Sequence, residues 1–138
     1  MAKGPNDGVL VDLQHGLMDY AQTLDMIAAI HAAGKPVLAR VPVGDVGLLG
    51  RLADAGADGL IMPMVESAEA ARAAVVQVKY PPLGNRSWGP YLALQESGLT
   101  AGEYLRQAND GLRFFPMVET RRGYEALDEI LAVPGADG

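Results

Sequence analysis

Four ionisable side chains stand where apolar runs end. Leu10-Val11-Asp12-Leu13-Gln14-His15-Gly16 passes from aliphatic residues into an acid, an imidazole and a glycine. Arg40 sits inside Val37-Leu38-Ala39-Arg40-Val41, and Glu119 closes Phe114-Phe115-Pro116-Met117-Val118. Short apolar runs of this kind read as buried strands. Parallel α/β folds place their chemistry at the C-terminal ends of such strands. The candidate chemistry is therefore proton transfer, anion binding and cation ligation converging on one edge of a sheet.

His15 is the acid/base candidate, because neutral imidazole titrates near neutral pH and can move a proton either way. Asp12, three residues earlier, is placed to hold its tautomer; the competing reading is a loop histidine without a role. A guanidinium in an apolar strand needs a partner, since an unpaired buried charge is costly. Arg40 would suit a carboxylate or a developing oxyanion, or else a structural ion pair. Glu119 could ligate a hard cation such as Mg²⁺ or Mn²⁺, or could simply be an acid at a helix N-terminus. His31, near a helix end, reads as a helix-terminus residue without chemistry, and Asp54 as helix surface. Trp88, the lone tryptophan, lies in Gly84-Asn85-Arg86-Ser87-Trp88-Gly89-Pro90, where it could line a pocket or an interface. Ser87 has no nearby base, and no glycine-rich phosphate loop supports a nucleotide site.

The elements that must position these groups alternate. Strands are expected at Gly8–Asp12, Pro36–Val41, Asp58–Pro63 and Leu112–Val118. Helices are expected at Tyr20–Ala33, Asp45–Ala55, Ala68–Val78 with Ser67 as N-cap, Thr100–Asn109 and Thr120–Leu131. Tyr80–Gly98, with three prolines and several glycines, reads as a long irregular stretch that is functional or hides a short element. Strand and helix in alternation argue for an α/β fold with a parallel sheet and right-handed crossovers. Asp7-Gly8 and Asp58-Gly59 each open a strand, and Asp137-Gly138 stands after a Pro-Gly break as if to open another.

The chain of 138 residues, 49% hydrophobic, suits one domain with a real core. A formal net charge of −6 without a Lys/Arg cluster argues against nucleic-acid or anionic-membrane partners. With no cysteine there is no disulfide, thiolate nucleophile or thiolate metal site. Met-Ala-Lys-Gly-Pro-Asn-Asp carries no apolar leader, so the expected location is cytoplasmic.

Taken in order, several segments resemble the HpcH/HpaI aldolases, the metal-dependent class II pyruvate aldolases of the phosphoenolpyruvate/pyruvate superfamily. They are Asp12-Leu13-Gln14-His15, Arg40, Ala55-Gly56-Ala57-Asp58-Gly59, Pro63-Met64-Val65, Tyr80-Pro81-Pro82-Leu83-Gly84-Asn85-Arg86 and Val118-Glu119-Thr120. The resemblance runs over essentially the whole chain. It implies a (β/α)8 TIM barrel, a trimeric or hexameric protein, and retro-aldol cleavage of 4-hydroxy-2-oxo acids to pyruvate and an aldehyde with Mg²⁺, Mn²⁺ or Co²⁺. By position it makes His15 the catalytic histidine, Asp12 an acid supporting it, and Asp54 a second acid associated with it. Arg40 becomes the arginine binding the pyruvate moiety and Glu119 one of two acidic metal ligands. Gln14 replaces the family's usual Glu, and Met117 its usual Gln.

The second metal carboxylate belongs to a Gly-Pro-x-Asp-Leu segment expected beyond Gly138. A barrel runs to about 250 residues, so the expectation is an incomplete barrel, a central segment lacking the first strand–helix unit and the last strands. Its sheet edges would be open, and it would be weakly active or inactive alone. Two alternatives accompany this reading: an acyl-CoA lyase of the citrate/malyl-CoA type, or a non-catalytic truncated assembly module.

Overall fold

Four short strands form one parallel sheet in the computed structural model, which describes residues 4–138. The first three residues of the stretch read for a leader lie outside the described residues. The strands are β1 (Val9–Asp12), β2 (Val37–Arg40), β3 (Gly59–Met62) and β4 (Arg113–Pro116). Helix α1 (Tyr20–His31) joins β1 to β2, and α2 (Val46–Asp54) joins β2 to β3. Three helices, α3 (Ala68–Val78), α4 (Tyr91–Ser97) and α5 (Ala101–Gly111), lie between β3 and β4. After β4 come α6 (Arg121–Glu125) and α7 (Leu127–Leu131). Strand order in the sheet repeats order in the chain. A doubly wound sheet requires a reversal of that order, so this winding is that of a barrel wall, here a partial (β/α)8 barrel.

Side chains alternate across each strand. Val9, Val11, Val37, Ala39, Leu60, Met62 and Phe114 are buried in one cluster with Ile27, Ile30, Leu49, Leu52, Val75 and Val78 of the helices. The opposite face carries Leu10, Asp12, Leu38, Arg40, Ile61 and Phe115. It is only half-covered, and Leu10 remains 49% exposed. The strands are thus buried on their helix face alone, where the apolar runs had suggested burial on both.

Helix starts follow their caps. Asp19 accepts from the Gln22 N–H while the Gln22 side chain returns to the Asp19 N–H, and Thr100 and Glu103 repeat this box at α5. Ser67 caps α3 as expected, and Asp45 and Thr120 cap α2 and α6. The long stretch hides a short element, as one of its two readings allowed: α4, bounded by Pro90 and by Gly98 at φ 65°. One expectation is corrected. The helix expected over Thr120–Leu131 breaks at Ala126, whose N–H is shared between the carbonyls of Arg122 and Gly123. The break turns α7 so that Ile130 is buried in the core.

The Asp-Gly pairs have a structural role. Asp58 gives its N–H to the Val37 carbonyl at 2.9 Å and takes the Val37 N–H on its side chain at 2.8 Å. Asp137 makes the same two bonds to Phe114, both at 2.8 Å. Each aspartate brackets the start of the preceding strand. Lys79, buried at the end of α3, adds a further tie by donating to the carbonyls of Asn109 and Leu112 at 2.7 and 2.5 Å.

Leu60 is fully buried on an interior strand, whereas Leu105 is 47% exposed on α5. Leu60→Ala is expected to cost about 2–5 kcal/mol, read as a lowered urea midpoint. Leu105→Ala should stay within about 0.5 kcal/mol of the parent.

Candidate active site

The site begins with register. In the β1–β2 ladder Asp12 stands opposite Arg40, so neighbouring strands deliver an acid and a guanidinium at the same height. The Arg40 Nε donates to Asp12 Oδ1 at 2.9 Å and Nη2 donates to Oδ2 at 2.5 Å, a bidentate fork. The Gln14 N–H adds a third bond to Oδ1 at 3.0 Å. The Arg40 fork, with help from the backbone N–H groups of Gln14 and His15, outweighs burial and lowers the Asp12 pKa to about 2. Asp12 is ionised at any physiological pH and fixes the plane of the guanidinium.

Glu119 reaches the same edge from the end of β4. Its Oε2 accepts the Met64 N–H at 3.0 Å, and its charge helps keep Arg40 protonated. Met64 presents that N–H from a left-handed backbone, φ 59°, at a residue that is not glycine. Such a conformation costs on the order of 1–3 kcal/mol and persists where surrounding structure enforces it. Here the enforcement comes from flanking bonds, Met117 N–H to the Met62 carbonyl at 2.9 Å and Val65 N–H to the Met117 carbonyl at 3.1 Å. Behind it, Thr120 donates to Glu66 at 2.8 Å, and Gly123 packs where a Cβ would come within 2.6 Å of the Val65 carbonyl. Neither Met64 nor Gly123 stood out in the sequence; the only trace was the Pro63-Met64-Val65 segment.

His15 lies on the turn that follows β1, closed by the Gly16 N–H bonding to the Asp12 carbonyl at 3.0 Å. A Cβ at Gly16 would stand 2.0 Å from that carbonyl oxygen, so the turn requires glycine. The imidazole is exposed and makes no hydrogen bond with a described residue. The expected Asp12–His15 pairing is therefore replaced by Asp12–Arg40, because the fork of the facing strand takes both carboxylate oxygens.

Asp54 is not brought to His15 within this chain. Helix α2 runs back across the sheet and ends at the edge where the strands begin. There the Arg86 Nε and Nη2 both donate to Asp54 Oδ1, at 3.1 and 2.6 Å. Arg86 also lies 4.6 Å from the centre of the Tyr80 ring, and Trp88 packs between Tyr80, at a tilt, and Tyr104, edge to face. The tryptophan thus belongs to an aromatic layer at the far edge. His31, read as a helix terminus without chemistry, also lies there, between two carboxylates.

Glu119 would suit one position around a hard divalent ion. Among the described residues, however, no group of three or more His, Asp or Glu side chains could hold a metal. Asp12 is committed to Arg40, and Glu119 accepts the Met64 N–H. The described residues do not make up a metal centre by themselves.

Fold and strand-end chemistry together define a barrel-type α/β domain with an enzyme-like C-terminal edge. The chain belongs to the HpcH/HpaI aldolase/citrate lyase family, whose model matches residues 2–138. It is 38% identical over 138 residues to a hydroxypyruvate/pyruvate aldolase of Roseovarius nubinhibens, covering 100% of this chain and 54% of that protein. It is 35% identical over 132 residues to a 4-hydroxy-2-oxo-heptane-1,7-dioate aldolase of Klebsiella pneumoniae, covering 96% of this chain and 50% of the relative. Among solved structures, an HpcH/HpaI aldolase from Desulfitobacterium hafniense superposes with a TM-score of 0.90 at 33% identity, covering 99% of this chain and 53% of that one. The citrate synthase SbnG superposes with a TM-score of 0.87 at 27% identity, covering 99% and 51%. The chain spans about half the length of the curated relatives it matches. No helix among the described residues is long and apolar enough to cross a membrane.

The Asp12 carboxylate titrates near 2 when folded, against an ordinary 3.8. Its contribution to stability is complete above the ordinary value and is lost as pH falls through about 2. Asp12→Asn is expected to lower the urea midpoint at pH 7 and to remove this component from the acid limb, measured by denaturation at pH steps between about 5 and 2.

Proposed function

We propose that this chain carries part of the active site of a divalent-metal-dependent aldolase that cleaves 4-hydroxy-2-oxo acids to pyruvate and an aldehyde. The observation that carries the reading is the Asp12–Arg40 fork beside Glu119 at the strand ends, in a chain whose relatives bear aldolase names.

Arg40 spends Nε and one N–H of Nη2 on Asp12, which leaves the Nη1 edge for a substrate oxygen. A 2-oxo acid offers a carboxylate and a carbonyl oxygen that becomes an enolate oxygen, and a guanidinium held in a fixed plane stabilises that developing charge. Asp12 acts through Arg40 as a positioning residue. His15, on its exposed turn, takes the proton from the C4 hydroxyl. The C3–C4 bond breaks, the aldehyde leaves, and the electron pair remains as the enolate of pyruvate. A proton returned to C3 completes pyruvate.

A divalent ion such as Mg²⁺, Mn²⁺ or Co²⁺ belongs to this reading as an added polarising charge, with Glu119 as one ligand. Because the described residues do not make up a metal centre by themselves, the isolated chain is expected to turn over slowly. Assembly of the protein as a trimer or hexamer is part of the same reading. Family membership alongside a citrate synthase structure favours a second reading, cleavage of a malyl- or citramalyl-type thioester, which uses the same arginine and acid.

The test is pyruvate release from a 4-hydroxy-2-oxo acid with each ion in turn. His15→Ala is expected to reduce the rate by about 10²–10⁴, and Arg40→Ala by about 10²–10³. Undiminished release in both variants would overturn the roles, and release from the thioester alone would favour the lyase reading.

A further inference from the structure

His31 lies at the far edge of the sheet, at the end of α1, and has no part in the proposed reaction. Its Nδ1 is 2.5 Å from Glu96 Oε2 on α4, and its Nε2 is 2.9 Å from Asp58 Oδ2 at the entrance to β3. Ionised carboxylate oxygens only accept, so both ring nitrogens must donate, and an imidazole that donates twice is an imidazolium. Asp58 is held in turn, because the same Oδ2 takes the Val37 N–H. The chain of contacts from β2 through Asp58 and His31 to α4 is complete only while the ring keeps its second proton.

Helix α4 has little else to hold it. Ala93 is its only buried side chain, its first turn has no side-chain cap, and Tyr91 is 84% exposed. Beneath it lies a cavity of about 610 Å³ between α1, α2 and α5, bordered by Ala28, Ala53, Ala93, Tyr104 and Gln107. That volume falls in the range of small-molecule sites. The charged groups facing His31 are Asp58, just ahead of β3, and Glu96 from α4. On the cavity wall the Arg86 guanidinium is committed to Asp54 of α2, and α5 contributes the neutral side chains of Tyr104 and Gln107. Lys35, the next cation after α1, is tied to the carbonyls of Gly4 and Asn6.

We propose that His31 is a proton-controlled latch: the imidazolium pins α4 across the cavity, and loss of its proton releases α4 and opens the cavity. A neutral ring has one N–H for two carboxylates, so one of the two contacts must fail. Burial opposes the charged ring, yet the hydrogen bonds and charges of Asp58 and then Glu96 outweigh it and hold its pKa above the ordinary 6.5. Closure is therefore fully favoured below 6.5 and weakens as pH rises through the folded-state value. The latch stands independently of the aldolase reading, since neither its residues nor its readout involve catalysis.

Hydrogen exchange of the full chain between about pH 5.5 and 9, corrected for intrinsic exchange, tests the proposal. The opening equilibrium of the α4 amides is expected to be flat at the acid end. It should then climb by up to about tenfold per pH unit while the ring titrates, with the amides of β2 and β3 unaffected. His31→Gln should abolish the climb. Glu96→Gln should abolish it too while leaving α4 docked, because an amide can donate to a neutral ring or accept from a charged one. Glu96 is exposed, so this variant keeps the test decisive if His31→Gln fails to fold. A flat profile in the parent chain, or a climb that survives Glu96→Gln, would overturn the latch.

Discussion

An arginine on the half-covered face of a parallel sheet needs a negative charge at its own height, and the register of β1 against β2 provides one. Asp12 and Arg40 are direct neighbours across the ladder, and their two parallel hydrogen bonds fix the guanidinium plane as well as its charge. Much of the strand-end edge depends on this pair. The Gln14 N–H completes the shell of Asp12, and the Leu13 N–H bonds the Arg40 carbonyl at 2.8 Å, so the turn bearing His15 departs from a fixed point. Glu119, arriving from the end of β4, adds negative charge that favours the protonated guanidinium.

The two faces of the sheet divide the work. The helix face is a dry, closely packed layer of valine, alanine, leucine and phenylalanine side chains. It supplies the burial that holds the strands, whereas the other face carries the polar groups. Because side chains alternate strictly along a strand, Arg40 reaches the site only because Ala39 is buried among the helices and Val41 follows it into the core. Stability and chemistry are read from alternate residues of the same four-residue segments.

Much of this was legible in the sequence. The strands and the first three helices were marked by short apolar runs and by caps such as Ser67, signals that act over a few residues. Arg40 stood out because a charge inside an apolar strand has to be satisfied, and that reasoning also named a carboxylate as its partner. Which carboxylate was not legible: it depends on strand register, a long-range property, and nearness in sequence suggested pairing Asp12 with His15. Helix α4 was hidden because its seven residues bury only Ala93, so it has no apolar stripe to detect. Pro90 and Gly98 were its only marks. Asp54 stands apart from His15 because a helix returns the chain to the opposite edge, and residue spacing does not record that return. The His31 cluster joins residues 65 positions apart, beyond any local signal.

The paired bonds of Asp58 and Asp137 bear on how such a sheet avoids error. A parallel strand can slide along its neighbour with little change in its backbone hydrogen bonding, and a slip of one residue would turn every side chain to the wrong face. In β2 that slip would drive the Arg40 guanidinium into the layer of valines and leucines and push Ala39 outward. Asp58, just ahead of β3, and Asp137, after α7, each work as a mechanical stop. Backbone and side chain together grip the donor and the acceptor of one residue on the neighbouring strand, an arrangement that only one offset allows. A modest turn residue, repeated along the chain, thereby serves as an alignment mark that lets short strands of four residues assemble without ambiguity.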